Sequence, residues 1–248
     1  TYCLKPLLTA LIACYNKTTL PALSFHLIQF KKGSWYMANS TDDMLHQAQL
    51  FNDFTAKQKL IIIAAIDVFA EKGYAATSTK EIAARAGVAE GNIYSRFTNK
   101  RGLLNAIITP VLDQMFPAEL DDFIKSRLNQ DYVSLETFLT VLIKDRLTFL
   151  QANAQIIKIV LSELLNDTQV REQVIGNFTA QYWQTMTHDL TVLKQQGVLV
   201  DWPFEDILRA IWSTTSGLIL GFLYFNQPLD ADTVNHSITA TIKALTPK

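Results

Sequence analysis

The sequence predicts an all-α fold, and three observations carry that prediction. Glycine and proline are few, 9 and 7 among 248 residues, so long stretches run without a helix breaker. Leu, Ile, Val, Phe and Ala recur at three- and four-residue intervals over most of the chain. Between residues 57 and 104, short helical patterns are cut by two sharp turns, Gly73-Tyr74 and Gly87-Val88. With 49% hydrophobic residues, the chain can bury a sizeable core in one large domain or two modest ones.

The first 36 residues stand apart. Lys5 precedes an apolar run from Leu7 to Ala13, and Leu11-Ile12-Ala13-Cys14 has the form of a lipoprotein cleavage box. That run is near the short limit for a signal peptide. Met37-Ala38-Asn39-Ser40 makes an ordinary start, so residues 1–36 are expected to be non-native upstream sequence or a dispensable extension. An ordered extension and a true signal are the alternatives. Both cysteines, Cys3 and Cys14, lie here, which removes disulfides, thiol catalysis and cysteine metal sites from the rest. Residues 37–54 are polar and acidic with scattered apolar positions, and read as a flexible arm.

Thr55 is placed to cap a first helix over residues 56–72. Its apolar residues, Leu60 to Ile66 with Val68 and Phe69, cover most of the circumference. Such a helix is buried on several sides, so it should touch the following helices and also the larger domain. Ser78 stands three residues before Glu81, the spacing of a capping box. Ile82, Ala83 and Ala86 form the apolar side of that second helix, and Gly87 can take the positive φ that turns the chain. Val88, Ile93 and Phe97 supply the apolar side of a third. Helix, glycine turn and short second helix make a helix-turn-helix, whose second helix fits a DNA major groove. A plain helical hairpin has the same apolar pattern. Charge agrees with the DNA reading without deciding it. Residues 57–102 hold eight Lys and Arg against four Asp and Glu, a net of +4 in a chain of net −1.

These residues resemble the DNA-binding domain of the TetR family of bacterial transcriptional regulators. The resemblance rests on Ile61, Ala64-Ala65, Phe69, Gly73-Tyr74, Thr77-Ser78-Thr79, Ile82-Ala83, Ala86-Gly87-Val88, Ile93-Tyr94, Phe97, Asn99-Lys100 and Leu103. It covers about one fifth of the chain and implies a DNA-binding domain over residues 55–103, with a helical ligand-binding and dimerisation domain over 104–248. By position in that pattern, Thr79 is expected at a phosphate and Lys80 at a phosphate or a base. Glu90, Gly91, Asn92, Tyr94, Ser95 and Arg96 fall on the recognition helix. Asn92 has the geometry to read adenine and Arg96 guanine. Tyr94 and Lys100 are expected on the DNA backbone. Glu90 is expected either to accept from a cytosine amino group or to favour the helix N-terminus. Two departures weaken base-level assignment: Ala89 stands where relatives often cap with Ser or Thr, and Ser95 where a large aromatic or basic residue is common.

Asn99 is placed to cap a fourth helix beginning at Lys100. In the family this helix joins head to body. Pro110 either bends it or stops it at Thr109, and Pro117 is expected to end it. Further helices are expected around residues 120–128, 135–150, 156–164 and 168–196, the last ended by Gly197. Two more follow, over 204–225 and 231–245. Gly217 and Gly221 have a spacing also met in membrane helices. Arg209 and Ser213 to Ser216 interrupt the apolar run, so no membrane partner is expected. By resemblance the last two helices pair with their copies in a homodimer; the alternative is that both stripes are intramolecular core.

Phe149, Tyr182, Trp183, Met186 and Trp212 are large residues at helical spacing, and read as core before pocket lining. The ligand-binding residues are left unassigned. The histidines His26, His46, His188 and His236 are isolated, and no zinc spacing, phosphate loop or nucleophile elbow is present. The reading is therefore a non-enzymatic regulator in the cytoplasm, without cofactor, that binds double-stranded DNA and an unknown small-molecule effector. A structural DNA-binding or protein-interaction role on the same fold is the alternative.

Overall fold

The computed structural model describes residues 51, 53–128 and 130–248, and the described residues contain helices and no strand. The readings on residues 1–36 and on most of the arm lie outside these residues. At the arm's end the structure departs from a free segment. Phe51 is buried, its ring meets Phe54, and Phe54 stacks on Phe97 with centroids 6.3 Å apart. A ring of that size gains more in the core than in water.

Helix α1 (Ala56–Lys72) begins at Thr55 with a reciprocal capping box. The Thr55 hydroxyl accepts from the Gln58 amide, and the Gln58 side-chain oxygen accepts from the Thr55 amide. Helices α2 (Thr79–Arg85) and α3 (Gly91–Phe97) follow. Gly73 and Gly87, at φ 79° and 65°, supply the turns that the sequence demands of them.

Helix α4 is one continuous run made of Lys100–Pro110, Val111–Met115, Phe116–Phe123 and Ile124–Leu128. Neither proline ends it: of the two outcomes open at Pro110 the stop at Thr109 does not occur, and Pro117, expected to end the helix, does not. Val111–Met115 forms a π turn, in which the Phe116 amide reaches back five residues to the Val111 carbonyl. That wider turn accommodates the proline rings. Pro117 has no N–H to offer the Leu112 carbonyl, and Asn177 donates to it instead at 2.8 Å.

The body adds α5 (Leu135–Ala152), α6 (Ala154–Asn166), α7 (Thr168–Asn177), α8 (Ala180–Gln195), α9 (Phe204–Phe225) and α10 (Ala231–Leu245). The single helix expected over 168–196 is broken at Phe178. Thr179 is extended, and its hydroxyl caps the Tyr182 amide. A fresh N-cap, with the Phe178 ring packed on Tyr182 and Trp183, competes successfully with continued helix.

Two apolar clusters fill the molecule. One joins α1–α4 to Ile156, Ile159 and Val160 of α6 and Val170 of α7, so a boundary at 103/104 cuts through shared core. The other lies inside the body. Helix α9 is long and apolar enough to cross a membrane by length and composition. It buries Ile207, Leu208, Ile211 and Leu223 against the body and turns Ser213 and Gly217 outward.

Asp189 on α8 is an anomaly in this core. It is 4% exposed, and its Oδ2 has no hydrogen-bond partner. Burial, aided by the nearby charge of Asp131, pushes its pKa up from 3.8 to about 7. The pKa of the nearby Tyr132 hydroxyl is raised by its own burial first and by the Asp189 charge second. Between those two pH values the folded chain holds a proton that the unfolded chain has lost, so this group's contribution to stability falls as pH rises. Asp189→Asn should match the wild type near pH 4 and exceed it by roughly 1–3 kcal/mol at pH 8. Denaturant melts at both pH values check this, and equal stability at pH 8 would refute it.

Candidate nucleic-acid interface

The start of α2 is held by Ser78, whose hydroxyl accepts from the Glu81 amide at 3.2 Å. The other half of the capping box is missing, because the Glu81 carboxylate pairs with Lys72 of α1. Arg85 at the end of α2 reaches Glu71 through both terminal nitrogens, at 3.1 and 3.0 Å. These exposed pairs fix the angle between α1 and α2 more than they add stability.

Helix α3 has no side-chain cap at its start. Glu90 stands at the N-cap, but its carboxylate accepts from the Thr79 hydroxyl at 2.6 Å. A hydroxyl has one proton. Thr79 gives it to Glu90, so the Tyr94 hydroxyl, 3.0 Å from Thr79, is the donor in that second bond. Thr79, Glu90 and Tyr94 thus brace α2 against α3. Thr79 is buried and its hydroxyl is committed to this brace.

Lys80, Gly91, Tyr94, Ser95 and Arg96 are exposed. Asn92 is half-buried, its amide donates to the Ala89 carbonyl at 3.0 Å, and Ser95 donates to the Asn92 carbonyl at 3.2 Å. Lys80 and Arg96 engage no other group among the described residues. They are the two cations on this face with their donors free for phosphate or base edges.

Lys100 is placed differently from expectation. Its ammonium lies 4.4 Å from the Tyr74 ring centroid and donates to the Tyr74 and Thr77 carbonyls at 2.8 and 2.7 Å. It ties the start of α4 to the loop between α1 and α2, with two of its three donors spent on these carbonyls.

Two residues that hold the recognition helix were not singled out from the sequence. Thr98 has φ 67° and ψ −47°, and the Asn99 amide donates to the Phe97 carbonyl at 2.7 Å across it. This γ-turn is a strained conformation for a β-branched residue. It folds the Phe97 carbonyl onto Gly102, where a Cβ would lie far inside van der Waals contact. A glycine in the first turn of a capped helix was the available signal.

Arg101, the residue before Gly102, faces the body. It donates to the Glu163 carboxylate at 2.8 Å and pairs with Asp167. Glu163 is buried, and Asp167 also caps α7 through the Gln169 and Val170 amides. Gln155 of α6 donates to Asp67 of α1 at 3.0 Å. The head is therefore joined to the body by charge as well as by shared core.

Comparison with known proteins agrees with this geometry. A sequence model described as bacterial regulatory proteins, tetR family, matches residues 61–107. The Bacillus subtilis protein YvkB, an uncharacterized HTH-type transcriptional regulator, is 47% identical over 51 residues, 21% of this chain and 27% of YvkB. YvdT, another uncharacterized HTH-type regulator of that organism, is 26% identical over 181 residues, 68% of this chain and 85% of YvdT. A solved tetR-family regulatory protein from Rhodococcus RHA1 shares the fold with a TM-score of 0.58 and 20% identity, covering 79% of this chain and all of that one.

The geometry separates Arg96 from Lys100. Arg96→Ala should lower the salt slope of DNA binding by about one unit. Lys100→Met should leave that slope unchanged while destabilising the fold by roughly 1–3 kcal/mol, because two carbonyls lose a charged donor. Salt titrations and thermal melts read both, and a flattened slope with unchanged stability for Lys100→Met would return it to the DNA backbone.

Proposed function

We propose that the chain, whose DNA-binding head matches the tetR family model over residues 61–107, is a TetR-family transcriptional regulator that acts as a homodimeric repressor released from a palindromic operator by a small molecule. The observation that carries the DNA half is the outward face of α2 and α3, where Lys80 and Arg96 stand free beside Tyr94 and Ser95. In this reading Lys80 and Arg96 make the outer contacts, Tyr94 and Ser95 lie against the DNA backbone, and Gly91 lets it approach. Asn92 reads a base only after giving up its bond to Ala89. Thr79, Glu90 and Lys100 act from behind by fixing the helix.

The release half is supported by α4. It runs unbroken from the Gly102 contact under the recognition helix to Leu128 in the body. A ligand that binds one position of α4 better than another shifts the head with it. The π turns at Val111–Met115 and Ile124–Leu128 are places where such a helix changes register at small cost.

The dimer half is supported by the outer face of α9, where the exposed Ser213 and Gly217 stand one helical turn apart. Small residues let a second helix approach closely. A two-fold pair would set two recognition helices about one DNA turn apart, ~34–36 Å. Action on DNA places the protein in the cytoplasm. A structural role without an effector is the weaker reading, since the relatives are named as transcriptional regulators.

Selection of the full chain against a random double-stranded DNA pool should enrich a palindrome. Salt-sensitive binding without enrichment would favour the structural role. A Cβ at Gly217 meets nothing within 4 Å in its own chain. Gly217→Phe should therefore keep the protomer's helix content yet yield a monomer by light scattering, with operator affinity reduced at least tenfold. An unchanged dimer would remove α9 from the interface.

A further inference from the structure

A cavity of about 10 Å³, room for a single water, lies in the body between α5, α8 and α9. Its walls are apolar, with Leu142, Tyr182, Met186, Leu208 and Trp212 among them. The Thr215 hydroxyl at its edge is already committed to the Ile211 carbonyl at 2.9 Å. One charged residue lines it, Arg146. We propose that this cavity is the closed form of an effector site for a molecule with an apolar body and one terminal carboxylate, which Arg146 recognises. The inference rests on the ligand-released reading above and names the ligand's chemistry.

Arg146 is a built feature of the body. Its side chain is 14% exposed, and its guanidinium sits 4.0 Å from the centroid of Phe123 on α4. Its Nε and Nη2 both donate to Oδ2 of the adjacent Asp145, whose Oδ1 accepts from Arg127. Nη1 makes no hydrogen bond or ion pair among the described residues. Glu119 lies in the field of the guanidinium without bonding it. A planar guanidinium with an unused edge, in surroundings that water scarcely reaches, suits a carboxylate far better than a cation or a neutral alcohol. The apolar walls suit an alkyl body, and Met186 is the kind of side chain that yields to make room. Because Phe123 belongs to α4, a carboxylate that draws the guanidinium towards it also moves the helix that carries the head.

The test titrates the full chain with decanoate, decanol and decyltrimethylammonium, following tryptophan fluorescence and melting temperature. Decanoate should bind at least tenfold more tightly than decanol, and the cation more weakly than either, since one charge-assisted contact is worth roughly that factor. Arg146→Gln should bring decanoate down to the level of decanol, and Arg146→Lys should restore part of the difference. Equal binding of the three probes, or no binding of decanoate, overturns the proposal. The wild-type comparison decides alone if Arg146→Gln does not fold. Release from the selected operator is measured separately. Decanoate binding without release keeps the site and removes the release reading. Release by decanol or the cation, with decanoate inert, keeps the release reading and removes this one.

Discussion

A helix of seven residues does not hold its shape in water, and the recognition helix of this protein has seven. Its order is borrowed from three contacts. Thr79, Glu90 and Tyr94 fasten its first turns to α2. Ile93 and Phe97 bury its inner face. The γ-turn at Thr98 presses its last carbonyl onto Gly102 of α4. The third contact matters most for function, because it leaves the recognition helix no freedom independent of α4. Where α4 goes, the reading surface follows.

The same logic extends inward. Arg101 sits one residue from that contact and binds two carboxylates of the body, one of them buried. Breaking a partly buried arrangement of this kind leaves an unpaired charge, a larger penalty than the pair's own contribution. The head's apolar cluster also includes residues of α6 and α7. Head and body therefore share one interior, and relative movement requires α4 to slide or rewind. Its two π turns, the first beside Pro110 and Pro117, are where its hydrogen-bond ladder departs from the regular α pattern.

Several polar side chains found partners that a reading of single motifs assigns elsewhere. Lys100 serves two carbonyls of its own head, and Glu81 completes an ion pair in place of a capping box. Asp189 found none, and its burial is a standing cost that packing around α8 offsets. Arg146 is intermediate, satisfied on one side by Asp145 and by the Phe123 ring, with one nitrogen left over.

The sequence by itself determined whatever depends on neighbours a few residues apart. The caps at Thr55, Ser78 and Asn99, the glycine turns at Gly73 and Gly87, and the last two helices all stand where local pattern placed them. So did the exposure of Lys80, Tyr94, Ser95 and Arg96, which follows from helical period alone. Tertiary structure decided the rest. Pro117 ends a helix by local rules, yet α4 continues because Asn177, 65 residues away, satisfies the carbonyl that the proline strands. Thr79 and Lys100 look free in sequence, and their partners come from elements 11 to 26 residues distant. A side chain's donors go to the best acceptor within reach, and reach is set by the packed helices, which no local window contains.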